Sequence, residues 1–173
     1  MNSFLLWLAQ GFGLGRIPIL PGTFGSLLGL GWLALLLQSG SWLVFLTGAI
    51  LGVPLSIFLS ERAEKILQKK DPGSVVIDEI VAMPFCFLVW LWSAGWPGLI
   101  HSPGQLLGQK CLGWCLAIFF LFRLFDIAKP WPIGASQKLK GGWGVTVDDL
   151  LAAAYVNAVV ALGIVLLRRL SVE

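Results

Sequence analysis

The sequence predicts an all-α, integral membrane helical bundle with about five membrane-embedded helices and a further short helix at the N-terminus. Three observations carry that prediction. Of the 173 residues, 57% are hydrophobic and only 12% are charged, and the mean hydropathy is +0.86. Soluble domains carry roughly 25% charged residues. Five apolar stretches recur along the chain, at Thr23–Leu37, Trp42–Leu59, Ile80–Ala94, Cys111–Phe125 and Leu150–Leu167. None shows the sustained two-residue alternation of a transmembrane barrel strand. These features exclude a soluble globular domain, a disordered chain and a nucleic-acid binder with a basic stripe. The net charge of +3 suits a protein lying beside anionic lipid.

The elements follow in order. Met1–Gln10 has neither a basic start nor a small-residue cleavage site, so it reads as a short interfacial helix and not a cleaved signal. Trp42–Leu59 and Leu150–Leu167 each reach about 18 residues, long enough to be spanning candidates. The other three stretches are nearer 15 residues, or about 22 Å of helix against a hydrocarbon core of about 30 Å. They must extend at their ends, thin the bilayer or lean on neighbours. The pairs Gly25/Gly29 and Gly48/Gly52 are spaced to let helix backbones approach closely, although lipid-compatible glycines without that role fit as well. Three cysteines make no disulfide framework, and Cys111 and Cys115 share a helix face as small hydrophobes. Asn157 is the one strongly polar residue near a helix middle and reads as a packing hydrogen bond. With no linker or low-complexity tract, residues 1–173 read as a single domain.

Orientation follows from the cations. With the N-terminus in the cytoplasm and all five stretches crossing, Arg16, Arg62, Lys65, Lys69, Lys70, Arg123, Lys129, Lys138 and Lys140 lie inside. Only Lys110, Arg168 and Arg169 lie outside. That asymmetry obeys the positive-inside rule. Trp42, Trp92, Trp96 and Trp114 fit as anchors at one interface, and Trp131 and Trp143 at the other.

Five of the nine acidic residues sit against apolar stretches: Asp78, Glu79, Asp126, Asp148 and Asp149. Carboxylates there are costly and are functional candidates by default. Asp78 and Glu79 open the third stretch, Asp126 closes the fourth, and Asp148 and Asp149 open the fifth. In the topology above, all lie at cytoplasmic helix ends. Acids at helix starts also complement the helix dipole, which is the simpler reading for any one pair. Two adjacent pairs and a fifth acid converging at one level favour a divalent metal. Hard oxygen ligands select Mg²⁺ or Mn²⁺ over zinc. The only histidine, His101, falls in a predicted outer loop.

Cations flank these acids. Arg123 precedes Asp126 by three residues and Lys129 follows it by three, a spacing that presents them together. Lys129 leads into Lys-Pro-Trp-Pro, where Pro130 and Pro132 predict an extended, rigid exit. Pro21–Ser26 is a turn feeding a helix start. Its backbone N–H groups, with Thr23 and Ser26, predict a phosphate cradle. Lys140–Gly144 predicts a second glycine-rich loop before Asp148. Metal carboxylates, cations and an anion site together point to phosphoryl chemistry.

Four blocks, Gly11–Gly15 with Pro21–Ser26, Asp71–Val81, Phe122–Ile133 and Gly141–Asp149, occur in an order that resembles the phosphatidylglycerophosphatase A family over about residues 11–158. The chain departs from the family pattern at Ala82, where a glycine is common, and at Thr146-Val147, where a methionine often precedes the acid pair. The resemblance implies a Mg²⁺-dependent phosphatase of phospholipid biosynthesis that converts phosphatidylglycerophosphate to phosphatidylglycerol. It also implies a multi-pass protein of the bacterial inner membrane with its site facing the cytoplasm. On this reading Asp78, Glu79, Asp126, Asp148 and Asp149 are metal ligands, and Asp126, Lys129, Arg123 and Asp149 are catalytic. Thr23, Ser26, Lys129 and Arg123 hold phosphate. Water attack and an aspartyl-phosphate intermediate both remain open. The main rival is a membrane transporter or ion channel, which also places acids in a membrane. Acids gathered at one side form no relay through the midplane, however.

Overall fold

The computed structural model describes residues 2–98, 104 and 108–170, all of them helical or in connecting turns. The helices are α1 (Asn2–Ala9), α2 (Pro21–Leu37), α3 (Trp42–Leu67), α4 (Ile77–Cys86), α5 (Leu88–Ser93), α6 (Gln109–Ala128), α7 (Ile133–Ser136) and α8 (Gly142–Leu170). The all-α expectation holds, and the short N-terminal helix is present. Among the described residues, three helices (α3, α6 and α8) are long and apolar enough to cross a membrane. At 17 residues, α2 reaches only about 25 Å. The third apolar stretch is not one helix but two, of 10 and 6 residues.

Small residues set the packing. Pro21 is pre-organised for the first turn of α2. A Cβ at Gly25 would come within 2.7 Å of the Val76 side chain, and one at Gly29 within 2.6 Å of that of Met83, so α2 lies tightly along α4. Gly52 on α3 faces Val81 on α4, and Gly48 faces Leu36 on α2. The close-approach reading of both glycine pairs is the one the structure adopts. Around them Leu33, Phe45, Met83, Phe87, Phe122 and Val156 form the core. Ala82 is buried within it. On the outer faces, Leu43, Leu51, Phe120, Leu162 and Leu170 are exposed, as a helix solvated by lipid requires.

The chain breaks between α4 and α5 at Phe87 (φ −93°, ψ −4°), whose N–H turns back to the Pro84 carbonyl at 3.3 Å. Pro84 has no N–H to give the helix, which weakens the ladder just before the break. Asn157 of α8 meets the opened turn: it accepts from Val89 N–H at 2.9 Å and donates to the Phe85 carbonyl at 2.7 Å. Asn157 therefore makes the packing hydrogen bond expected of it.

Other expectations need correction. The Lys140–Gly144 segment is not a free loop, because α8 begins at Gly142 and takes in Gly144. A Cβ at Gly142 would overlap the Ile57 carbonyl and sit 3.0 Å from Glu61 N, so Gly142 lets α8 dock on the α3 backbone, while Gly144 lies against the Leu139 and Gln137 carbonyls. Asp148 and Asp149 consequently lie in the second turn of α8. After Lys129 the Pro-Trp-Pro segment turns, with Ile133 N–H bonded to the Pro130 carbonyl at 2.7 Å, and enters α7; it is not an extended exit. Trp96 is buried, its ring against Trp42 at 4.8 Å, so it packs inside the protein, whereas Trp92, Trp131 and Trp143 are exposed. His101 lies outside the described residues.

Candidate active site

One end of the bundle collects the start of α2, the start of α4, the end of α6 and the first turns of α8. The lead into α4 is fixed by the N-terminal segment. Val76 N–H donates to the Ala9 carbonyl at 2.9 Å. The buried Gln10 side chain donates to Ser74 Oγ at 3.1 Å and accepts from Arg16 Nε at 2.7 Å. Gly15 lies against the Ser74 carbonyl and Gly11 against Val76, where side chains would collide. The glycines of the first block thus bring α4's lead-in close.

The five acids divide in two. Asp78, Glu79 and Asp149 are buried, and each presents a carboxylate oxygen within 4.8 Å of the other two. Asp78 Oδ1, Glu79 Oε2 and Asp149 Oδ2 are buried with no hydrogen-bond partner. Asp126 and Asp148 face cations, and Asp148 Oδ1 is likewise buried with no hydrogen-bond partner. Arg123 Nη1 donates to Asp126 Oδ2 at 2.7 Å, and Lys129 Nζ donates to Asp148 Oδ2. Lys129 Nζ is also 3.9 Å from Asp126 Oδ1, and Arg123 Nη1 is 3.7 Å from Glu79 Oε1. The two cations therefore stitch the rim of the cluster together and reach Glu79, while among the described residues no cation pairs with Asp78 or Asp149.

Pro130 disfavours a right-handed helical conformation at Lys129, so α6 stops at Ala128. Lys129 takes the left-handed conformation (φ 44°), its N–H bonded to the Phe125 carbonyl at 2.8 Å, and its side chain meets α8. Partial burial alone would lower its pKa. The hydrogen bond and charge of Asp148, with Asp126 and Asp149, outweigh that and hold it above the ordinary 10.5. Lys129 is thus a fixed positive charge.

On α2, Ser26 is fully buried; its hydroxyl donates to the Gly22 carbonyl at 2.9 Å and accepts from Arg123 Nη1 at 3.5 Å. It supports Arg123 from beneath. Thr23 is half-buried one turn earlier on α2. The expected backbone cradle is reduced: the N–H groups of Thr23 and Phe24 both go to the Leu20 carbonyl, and Pro21 has none. Sequence reasoning passed over Gly22. A Cβ there would fall 2.8 and 2.9 Å from the Arg123 terminal nitrogens and against the Glu79 carboxylate. The signal was the Pro-Gly pair at a helix start, where a second residue without a side chain implies something close by. Thr146 pairs with Ser56 across a buried 2.9 Å contact between α8 and α3.

The donor set suits a hard divalent cation. Three clustered carboxylates with unpartnered oxygens cannot all stay charged in a buried site without a cation among them. Their all-oxygen chemistry is that of Mg²⁺ or Mn²⁺ sites. Arg123 Nε is also buried and unpartnered.

The family model described as Phosphatidylglycerophosphatase A matches residues 7–164. Phosphatidylglycerophosphatase A of Haemophilus influenzae is 38% identical over 154 residues, covering 88% of this chain and 84% of that protein. The Escherichia coli protein of the same name is 32% identical over 146 residues, 84% of this chain and 74% of its own. A Bacteroides thetaiotaomicron protein, provisionally named a phosphatidylinositol-3-phosphatase, is 35% identical over 159 residues, 88% and 89% of the two chains. No solved structure matches the chain. By the extent of the family match and of its relatives, this chain belongs to the phosphatidylglycerophosphatase A family.

Proposed function

We propose that this protein is a Mg²⁺-dependent lipid phosphatase that removes the terminal phosphate monoester of phosphatidylglycerophosphate, giving phosphatidylglycerol for phospholipid biosynthesis. It works at the cytoplasmic face of the bacterial inner membrane. The observation that carries this reading is the buried Asp78–Glu79–Asp149 cluster, each acid with one unpartnered oxygen, flanked by Arg123 and Lys129. The names of two relatives supply the head group.

Asp78, Glu79 and Asp149 would hold the metal, which narrows the five-acid set expected from the sequence. Bound there, Mg²⁺ supplies Lewis-acid polarisation of phosphoryl oxygens and a more acidic water. The protein's own residues do the rest. Arg123, held by Asp126 and Ser26, and Lys129, held by Asp148, bind the phosphoryl oxygens and neutralise charge that grows as the ester bond breaks. Because both cations are already oriented, little reorganisation is needed at the moment of reaction. Thr23 stands at the same helix start, where a hydroxyl reaches a bound phosphate. The lipid tails lie among the exposed apolar helix faces, so the head group meets the site at the membrane surface.

The test is phosphate release by purified protein in detergent micelles, where no gradient exists for a transporter to use. Release from phosphatidylglycerophosphate that stops in chelator and returns with Mg²⁺ is the expected result. Glycerol phosphate without tails should react slowly, and phosphatidylinositol 3-phosphate tests the head group carried by the third relative's name. No hydrolysis in micelles, with substrate-dependent flux in sealed vesicles, would replace this reading with a transporter.

A further inference from the structure

The acidic cluster is assembled from α4 and α8, which pack against each other, and about two turns further into the bundle Asn157 of α8 bonds the junction of α4 and α5. In an uninterrupted helix the Val89 N–H would bond the Phe85 carbonyl, four residues earlier. Here the ladder opens at Phe87, and the Asn157 amide bridges those same two groups: Val89 N–H donates to Oδ1 at 2.9 Å, and Nδ2 donates to Phe85 O at 2.7 Å. The second Nδ2 hydrogen returns to the Ala153 carbonyl of α8 at 2.8 Å. Both donors and the acceptor of the amide are engaged, so the bridge admits one orientation. A side chain inserted in this way is a recognised cause of a sharp helix bend.

The spacing gives the bridge its consequence. Asn157 follows Asp149 by eight residues on α8, about 12 Å along the axis, and Phe85 follows Asp78 by seven on α4, about 10.5 Å. Both helices start at the site and run away from it. The two contacts, acids at one end and the amide at the other, are therefore rungs at nearly equal height between α4 and α8. A 10-residue helix containing a proline has little rigidity of its own. We propose that Asn157 is a positioning residue for the acidic site: by bridging the opened turn it sets the register of Asp78 and Glu79 on α4 against Asp149 on α8. The proposal rests on the reading of those acids as the metal-holding group, and its test is built to separate the two.

Spin labels at the exposed positions Gly73→Cys and Trp143→Cys, in a background carrying Cys86→Ala, Cys111→Ala and Cys115→Ala, report the distance between the approaches to α4 and α8 in detergent. Asn157→Leu removes the amide at similar volume, and Asn157→Ala is the second variant should the first fail to fold. The expected result is a shifted or broadened distance distribution, by about 1.5 Å or more, the rise of one helical residue. Mn²⁺ affinity, read by the metal's own paramagnetic resonance, should weaken by roughly 10–100-fold, as when a residue supporting a ligand is lost. Unchanged distances with unchanged affinity would overturn the proposal, even if the variants melted earlier, because that is a packing role alone. If the unmodified protein binds no Mn²⁺, the metal reading falls, and the distance measurement by itself decides for or against Asn157.

Discussion

Asp148 accepts a hydrogen bond from Lys129, while its chain neighbour Asp149 faces Asp78 and Glu79 with an oxygen that has no partner. One helical step rotates the side chain by about 100°, enough to pair one of two identical side chains with a cation and turn the other toward two further acids. Asp126 shares the first condition through Arg123. The acidic end of the bundle is thus a cation-paired rim around a centre where, among the described residues, Asp78 and Asp149 have no cation partner, and rim and centre should respond differently to substitution.

On the proposed reading, Asp78→Asn and Asp149→Asn each remove a metal-holding carboxylate. Mn²⁺ binding should be lost, with activity falling by more than the roughly 10–100-fold typical of a merely supporting residue. Asp126→Asn and Asp148→Asn should leave Mn²⁺ binding largely intact and slow phosphate release, because they unfasten Arg123 and Lys129. Titration of Mn²⁺ against all four purified variants checks the division; equal loss of affinity in all four contradicts it.

Lys129→Met keeps most of the side chain's length and removes its charge. Losing one preorganised electrostatic contact costs about 2.7–4 kcal/mol, or roughly a hundred- to thousandfold in rate. The measurement is the turnover number on the lipid substrate at saturating Mg²⁺. A variant as fast as the unmodified protein removes Lys129 from catalysis without touching the metal assignment.

Gly22→Ala and Gly142→Ala separate function from fold. At Gly22 the new methyl meets the tips of Arg123 and Glu79, which yield easily, so activity should drop at least tenfold with little change in melting temperature. At Gly142 it meets the Ile57 carbonyl and cannot be relieved without moving α8 off α3. That overpacking should cost about 1–3 kcal/mol and appear as a lower melting temperature. Reversed outcomes would misplace both glycines.

Sidedness is tested by cysteine accessibility in the cysteine-free background. Lys69→Cys and Lys138→Cys, exposed at the site end, should react with an impermeant reagent only in inverted or permeabilised membranes. Arg168→Cys, near the far end of α8, should react in intact cells. Labelling in the opposite sense would turn the site outward.

Much of this arrangement was legible in the sequence, because its causes are local or compositional. Low charge and long apolar runs determine a helical membrane bundle whatever the packing, since lipid gives unpaired backbone groups no partner. The placing of Asp78, Glu79, Asp126, Asp148 and Asp149 against apolar stretches was enough to mark them, and the four ordered blocks were enough for the family. Contacts between helices decided the remainder. A carboxylate in sequence carries no sign of whether a cation will face it, so the split between Asp149 and Asp148 depended on where α6 delivers Arg123 and Lys129. Hydropathy sums side chains and is blind to the backbone ladder; 80–94 therefore read as one helix, and only an amide from α8 made the break at Phe87 tolerable. The glycines before Asp148 looked like a loop because glycine has poor helix propensity. Inside the bundle that disadvantage is outweighed, since only a residue without a side chain lets the start of α8 rest on the backbone of α3.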